Sequence, residues 1–137
     1  MRTAAILIAR LIFTAVFALA ASFKFAAMGM TAQEIAGAGF PMPDLLAWLA
    51  AIFEVALILA FLTGAFFTEA CLLAIVYVLF LAFSFHGPNR WSGNPMEFGF
   101  FVDHFTFTAG LLFAAVHGPG SVLVLRWSLI NRNRRDR

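Results

Sequence analysis

A chain of 137 residues that is 63% hydrophobic and only 12% charged falls outside the composition of soluble globular proteins and reads as a single integral membrane domain. Its formal net charge is only +2, but the arginines cluster toward the two ends of the sequence, so the balance speaks of membrane topology rather than of a soluble basic domain. One cysteine, Cys71, excludes an intrachain disulfide, a CxxC redox pair and a CxxCH haem attachment.

The first predicted span covers about residues 4 to 24. Arg10 falls where a secretory signal would have its apolar stretch, so this span is read as retained rather than cleaved. About residues 25 to 43 form a moderately apolar loop, with Met28, Met30, Ile35 and Phe40 interrupted by Gly29, Gly37 and Gly39. Such a loop is expected to fold back onto the helices.

Pro41-Met42-Pro43-Asp44 opens the second span, about residues 44 to 66, by supplying a proline for the first turn and a carboxylate for the open amides. Thr63-Gly64 through Thr68-Glu69 makes a short turn to the third span, about residues 68 to 86. Asn94-Pro95-Met96-Glu97 predicts a capped start for the fourth, about residues 95 to 117. The third and fourth spans both end in His-Gly-Pro, at His86-Gly87-Pro88 and His117-Gly118-Pro119, where glycine is expected to provide a left-handed cap.

Ser121 to Ile130 is too short to cross and contains Arg126 and Trp127, which predicts an interfacial segment. It leads into the basic tail from Asn131 to Arg137. The fold class is therefore all-α: an antiparallel four-helix membrane bundle with an interfacial C-terminal segment and a basic tail. Arg2, Arg10, Arg126, Arg132, Arg134, Arg135 and Arg137 share one side, against Lys24 and Arg90 on the other. This asymmetry places both termini in the cytoplasm, and the tail is read as a topology determinant touching anionic lipid, with no nucleic-acid role.

Charges within hydrocarbon cost about 2.5 to 3.5 kcal/mol each on insertion scales, so each requires a partner or a task. Residue counts put Glu54 at ~15 Å and Asp103 with His104 at ~12 to 14 Å from the outer ends of their helices, with Arg10 approaching from the other side. Tyr77 sits near the middle of the third span. One reading pairs Arg10 with Glu54 as a structural salt bridge and lets Asp103 hold His104 or the Tyr77 hydroxyl. The other makes Glu54, Asp103 and His104 a proton-exchanging layer, with Tyr77 and Lys24 as further polar or quinone-contacting groups.

A quinone is compatible with this layer, whereas haem and metal are disfavoured. The weak metal candidates are His86, Glu97 and His104, which antiparallel helices could bring together. The 18 phenylalanines are read as lipid-facing and interhelical packing.

Arg10-Leu11-Ile12-Phe13, Phe17, Ser22-Phe23-Lys24, Gly39-Phe40-Pro41-Met42-Pro43, Leu46-Ala47-Trp48-Leu49-Ala50, Glu54, Leu62-Thr63-Gly64, Ala109-Gly110-Leu111-Leu112 and His117-Gly118-Pro119-Gly120 recur in an order that resembles the DoxX family. The resemblance spans nearly all of residues 6 to 120. It implies a four-helix membrane protein associated with redox complexes such as quinol oxidase or thiosulfate:quinone oxidoreductase. By family pattern, Arg10, Lys24 and Glu54 match recurring polar positions.

Asp103-His104-Phe105-Thr106 replaces a Lys-Asn-Leu-Ala run of many such sequences, so a function depending on that lysine would not carry over. The reading that follows is an accessory subunit of a membrane electron-transfer or quinone-reactive complex, packed against larger membrane subunits. The alternatives are an independent quinone-linked oxidoreductase component and a purely structural or pigment-packing subunit.

Overall fold

A computed structural model describes residues 2–125 and 127–130, without the side chain of Arg2. Arg126 and the tail from Asn131 to Arg137 lie outside the described residues. No strand occurs among the described residues, and five α-helices account for nearly all of the regular structure: α1 (Arg2–Ala26), α2 (Met28–Gly37), α3 (Pro43–Thr63), α4 (Phe67–Phe85) and α5 (Pro95–His117). Four of them, α1, α3, α4 and α5, are long and apolar enough to cross a membrane.

The chain divides into two compact units. The first holds residues up to Ala65 together with Pro119–Trp127; the second holds Phe66–Gly118 together with the residues from Ser128 on.

In the first unit α1 and α3 pack antiparallel, the start of α1 meeting the end of α3. Arg10, Phe13, Phe17 and Ala21 are buried on one face of α1, at helical spacing. The facing stripe of α3 is Ala47, Ala51, Glu54, Leu57 and Phe61. Phe61 is the centre of this contact, its ring 5.6 Å from that of Phe13 and 5.7 Å from that of Phe17. The loop expected between the first two spans contains a helix of its own: α2 packs on α3 and buries Ala32 and Ile35. Burial of those two side chains is how the segment folds back, whereas Met30 stays 68% exposed.

Breaker residues set the helix limits, though not always by the capping chemistry the sequence suggests. Met42 takes a left-handed φ of 49° just before Pro43, and neither Met42 nor Asn94 makes a side-chain capping bond. Asn94 therefore does not cap α5 as expected; Pro95 at the first position, which has no amide to satisfy, carries the start. Gly64 closes α3 with φ 71°, and a Cβ there would lie 3.1 Å from Val124 and 3.2 Å from Pro119. Gly118 also takes a positive φ, of 74°, after α5. Gly87 does not: α4 ends at Phe85 with His86 as its cap, and Gly87 is required because a Cβ would come within 2.6 Å of the Phe83 carbonyl oxygen.

In the second unit α4 and α5 run antiparallel, joined through a short 3-10 turn at Pro88–Arg90. Phe67, Ala70, Cys71, Ala74, Val78 and Ala82 form the buried side of α4, and α5 packs along it through Phe83 and His86. Phe83 meets Phe101 and Phe105 edge-on at 5.2 and 5.9 Å between ring centres. The described residues after α5 form no regular helix. Within the first unit, Leu125 donates its N–H to the Thr63 carbonyl at 2.9 Å, tying residues 119–125 to the end of α3.

Candidate functional site: three polar clusters and an exposed carboxylate

Arg10 is 2% exposed near the start of α1, and it makes no bond to Glu54. Its Nε donates to the Phe61 carbonyl at 3.0 Å; one terminal nitrogen donates to Pro119 at 3.1 Å and Val122 at 2.8 Å; the other donates to Leu62 at 2.7 Å and Leu123 at 3.0 Å. A guanidinium has five N–H donors in a rigid fork, and all five are used. Four of the last carbonyls of α3 lack partners within the helix, as at any helix end, and two of the carbonyls that Arg10 takes belong to this region. The residue thus clamps residues 119–123 to the end of α3.

The expected Arg10–Glu54 salt bridge is replaced by a different pairing, Lys24 Nζ to Glu54 Oε1 at 2.7 Å. Lys24 and Arg10 are fourteen residues apart on α1, or ~21 Å along its axis, so one carboxylate on α3 cannot serve both. Depth counted separately on each helix had brought Arg10 and Glu54 to similar levels. The actual register puts Arg10 level with the last turn of α3 and draws the long Lys24 stem inward to Glu54. Glu54 is 1% exposed and Lys24 19%, so the pair lies at the edge of the buried stripe with the lysine toward its outside.

Glu69, in the first turn of α4, was legible only as a turn residue. Its Oε1 accepts from Ser128 Oγ at 2.8 Å, from the Leu129 N–H at 2.6 Å and from the Ile130 N–H at 2.9 Å. Glu69 is thus the second anchor of the C-terminal segment, made by a carboxylate and backbone amides where Arg10 uses a cation and carbonyls. The one sequence signal was an acid at a helix N-terminus, where the helix dipole favours it. Replacing Glu69 by Ala is expected to weaken this attachment by about 1 to 3 kcal/mol. Faster amide exchange at Leu129 and Ile130, with the α4–α5 core unchanged, is the expected readout.

The third cluster joins the end of α4 to the start of α5. His86 Nδ1 lies 2.7 Å from Glu97 Oε2, and the His86 and His104 rings are 5.2 Å apart between centres. His104 Nδ1 lies 2.6 Å from the Phe100 carbonyl, and Trp91 Nε1 donates to the His86 carbonyl at 2.8 Å. The three residues read as weak metal candidates are therefore neighbours. Among the described residues, however, no three His, Cys, Asp or Glu side chains are arranged to hold a metal ion.

Asp103 does not hold His104 or the Tyr77 hydroxyl. Asp103 is exposed and has no hydrogen-bond or ionic partner among the described residues, while His104 turns toward His86. Adjacent helical residues point about 100° apart, which separates this acid from its neighbouring imidazole. Tyr77 is half-buried in the middle of α4. On the outward side of α5, Gly99, Asp103, Thr106, Phe113 and His117 are exposed, and with the half-buried Gly110 they follow alternating spacings of four and three. That spacing lines them up as one stripe along α5, the geometry that a helix–helix seam requires.

The family model DoxX matches residues 5–87, more than half of the chain. No curated protein and no solved structure gives a significant match. With four helices long enough to cross a bilayer and a match that includes Arg10, Lys24 and Glu54, the chain is a multi-pass membrane protein that belongs to the DoxX family.

Proposed function

We propose that this protein is an accessory subunit of a membrane electron-transfer or quinone-reactive complex, held in a bacterial cytoplasmic membrane with both termini on the cytoplasmic side. The observation that carries this reading is Asp103: a carboxylate without a partner among the described residues, on the outward side of a helix long and apolar enough to cross a membrane, in a stripe with Gly99, Thr106 and Gly110. Left against lipid, an aspartate near mid-helix costs about 2.5 to 3.5 kcal/mol. A neighbouring membrane helix with a cationic or hydrogen-bond-donating side chain removes that cost, and the small residues of the seam allow close approach.

A second copy of this chain suits the seam less well, because a two-fold pair would set the two Asp103 carboxylates against each other. The redox assignment rests on membership of the DoxX family, and the topology on the arginine asymmetry of the sequence.

A photoreactive residue at Thr106 tests the reading. The expected product in cells is an adduct with a larger membrane polypeptide whose complex oxidises or reduces quinone, while the same probe at Val76, 68% exposed on α4, reacts with lipid. Lipid adducts alone at Thr106, or adducts with a second copy of this chain, contradict it.

A further inference from the structure

We propose that His86 and His104 form an open, two-imidazole site for a divalent transition-metal ion at the junction of α4 and α5. The inference is independent of the accessory-subunit reading and rests on which ring nitrogen each histidine leaves available.

His104 Nδ1 faces the Phe100 carbonyl oxygen at 2.6 Å. A carbonyl only accepts, so Nδ1 carries the proton and Nε2 keeps its lone pair. His86 Nδ1 faces Glu97 Oε2 at 2.7 Å, and a carboxylate assigns the same tautomer. Each imidazole is thus fixed through Nδ1–H by an acceptor behind it, one a carboxylate and one a backbone carbonyl. This is the arrangement that orients metal-ligating histidines and raises the basicity of the free nitrogen.

The spacing fits the same ligand. With metal–nitrogen bonds of about 2.0 Å, two imidazoles on one tetrahedral ion have ring centres about 5 Å apart; the His86 and His104 rings are 5.2 Å apart and inclined by 43°. Glu97 sits behind His86, as its orienting partner, and is not a third ligand. That accounts for the lack of a three-ligand group among the described residues. It also leaves the remaining coordination positions to water or to an external ligand.

His86 and Glu97 are 25% and 20% exposed, so the site opens onto the protein surface at the end of α4. Imidazole donors select copper, nickel or zinc over magnesium and calcium. From the sequence a metal is disfavoured because a histidine at a helix end, such as His86, ordinarily has a capping or interface role. His117 provides an internal control: its Nδ1 also meets a carbonyl, that of Phe113 at 2.8 Å, but it is exposed and has no second imidazole beside it.

The experiment is a Cu2+ titration of the metal-free, full-length protein in detergent, purified on a tag without histidine, followed by calorimetry and electron paramagnetic resonance. The expected result is one ion per chain with a two-nitrogen signature, undisturbed by excess Mg2+. His86→Ala and His104→Ala should each lower affinity at least about tenfold, Glu97→Gln about tenfold, and His117→Ala not at all. Circular dichroism on each variant separates loss of the site from loss of the fold, and Glu97→Gln leaves both imidazoles in place. The proposal is overturned by an absence of stoichiometric binding, by wild-type binding in folded His86→Ala or His104→Ala, or by an equal loss in His117→Ala.

Discussion

Arg10→Lys is expected to destabilise the protein almost as much as Arg10→Ala, although it keeps the charge. Lysine offers three donors on one nitrogen, and the site has carbonyls at 2.7 to 3.1 Å in five directions around a planar fork. At least two charge-assisted bonds are lost, each worth about 1.5 kcal/mol or more, so the loss is about 3 kcal/mol or greater. The measurement is the thermal midpoint in detergent, read beside amide exchange. Residues 119–125 should lose protection first, because Leu125 donates to Thr63 only while the segment is held at the end of α3. A fully stable Arg10→Lys protein would mean that the charge matters and the fork does not.

The second large effect is expected at the Lys24–Glu54 pair. Glu54→Leu leaves a lysine drawn toward a buried apolar stripe with its counter-ion gone, and breaking one side of a buried pair costs about 3 to 5 kcal/mol. Lys24→Met alone takes the cation from the carboxylate, which is the more deeply buried partner. The double variant Lys24→Met/Glu54→Leu should recover a substantial part of the loss of either single change, giving a coupling well above 0.5 kcal/mol in a double-mutant cycle. Arg10→Leu combined with Glu54→Leu should be simply additive, since those residues touch different groups two turns apart on α3. Additivity in the first cycle and coupling in the second would reverse the assignment.

These two residues also show where the sequence was informative. Helix number and limits depend on local chemistry: apolar runs of about 20 residues, Pro43 and Pro95 at helix starts, and Gly64 and Gly118 past helix ends. The demand for a partner was equally readable, because a lone charge among phenylalanines is costly wherever it sits. The choice of partner was not. It depends on the axial offset between α1 and α3, and a shift of two turns moves Arg10 from a carboxylate to a set of carbonyls without altering any local pattern.

Glu69 escaped notice for a related reason. Two of its three partners are backbone amides, at Leu129 and Ile130, and backbone groups leave no trace in residue identity. Asp103 and His104 were found as a pair because they are adjacent, yet adjacency on a helix separates them in space. His104 joins His86, and Asp103 faces outward. The fold class was therefore accessible from composition, the polar residues from their cost in lipid, and their connections only from the packed helices.

Native mass spectrometry of the protein after gentle detergent extraction should show a stoichiometric complex with a larger membrane polypeptide that turns over quinone, and the loss of that complex when Asp103→Lys places a cation in the seam. A clean monomer, or a homodimer that survives Asp103→Lys, would rule out a place for this chain in a larger redox assembly.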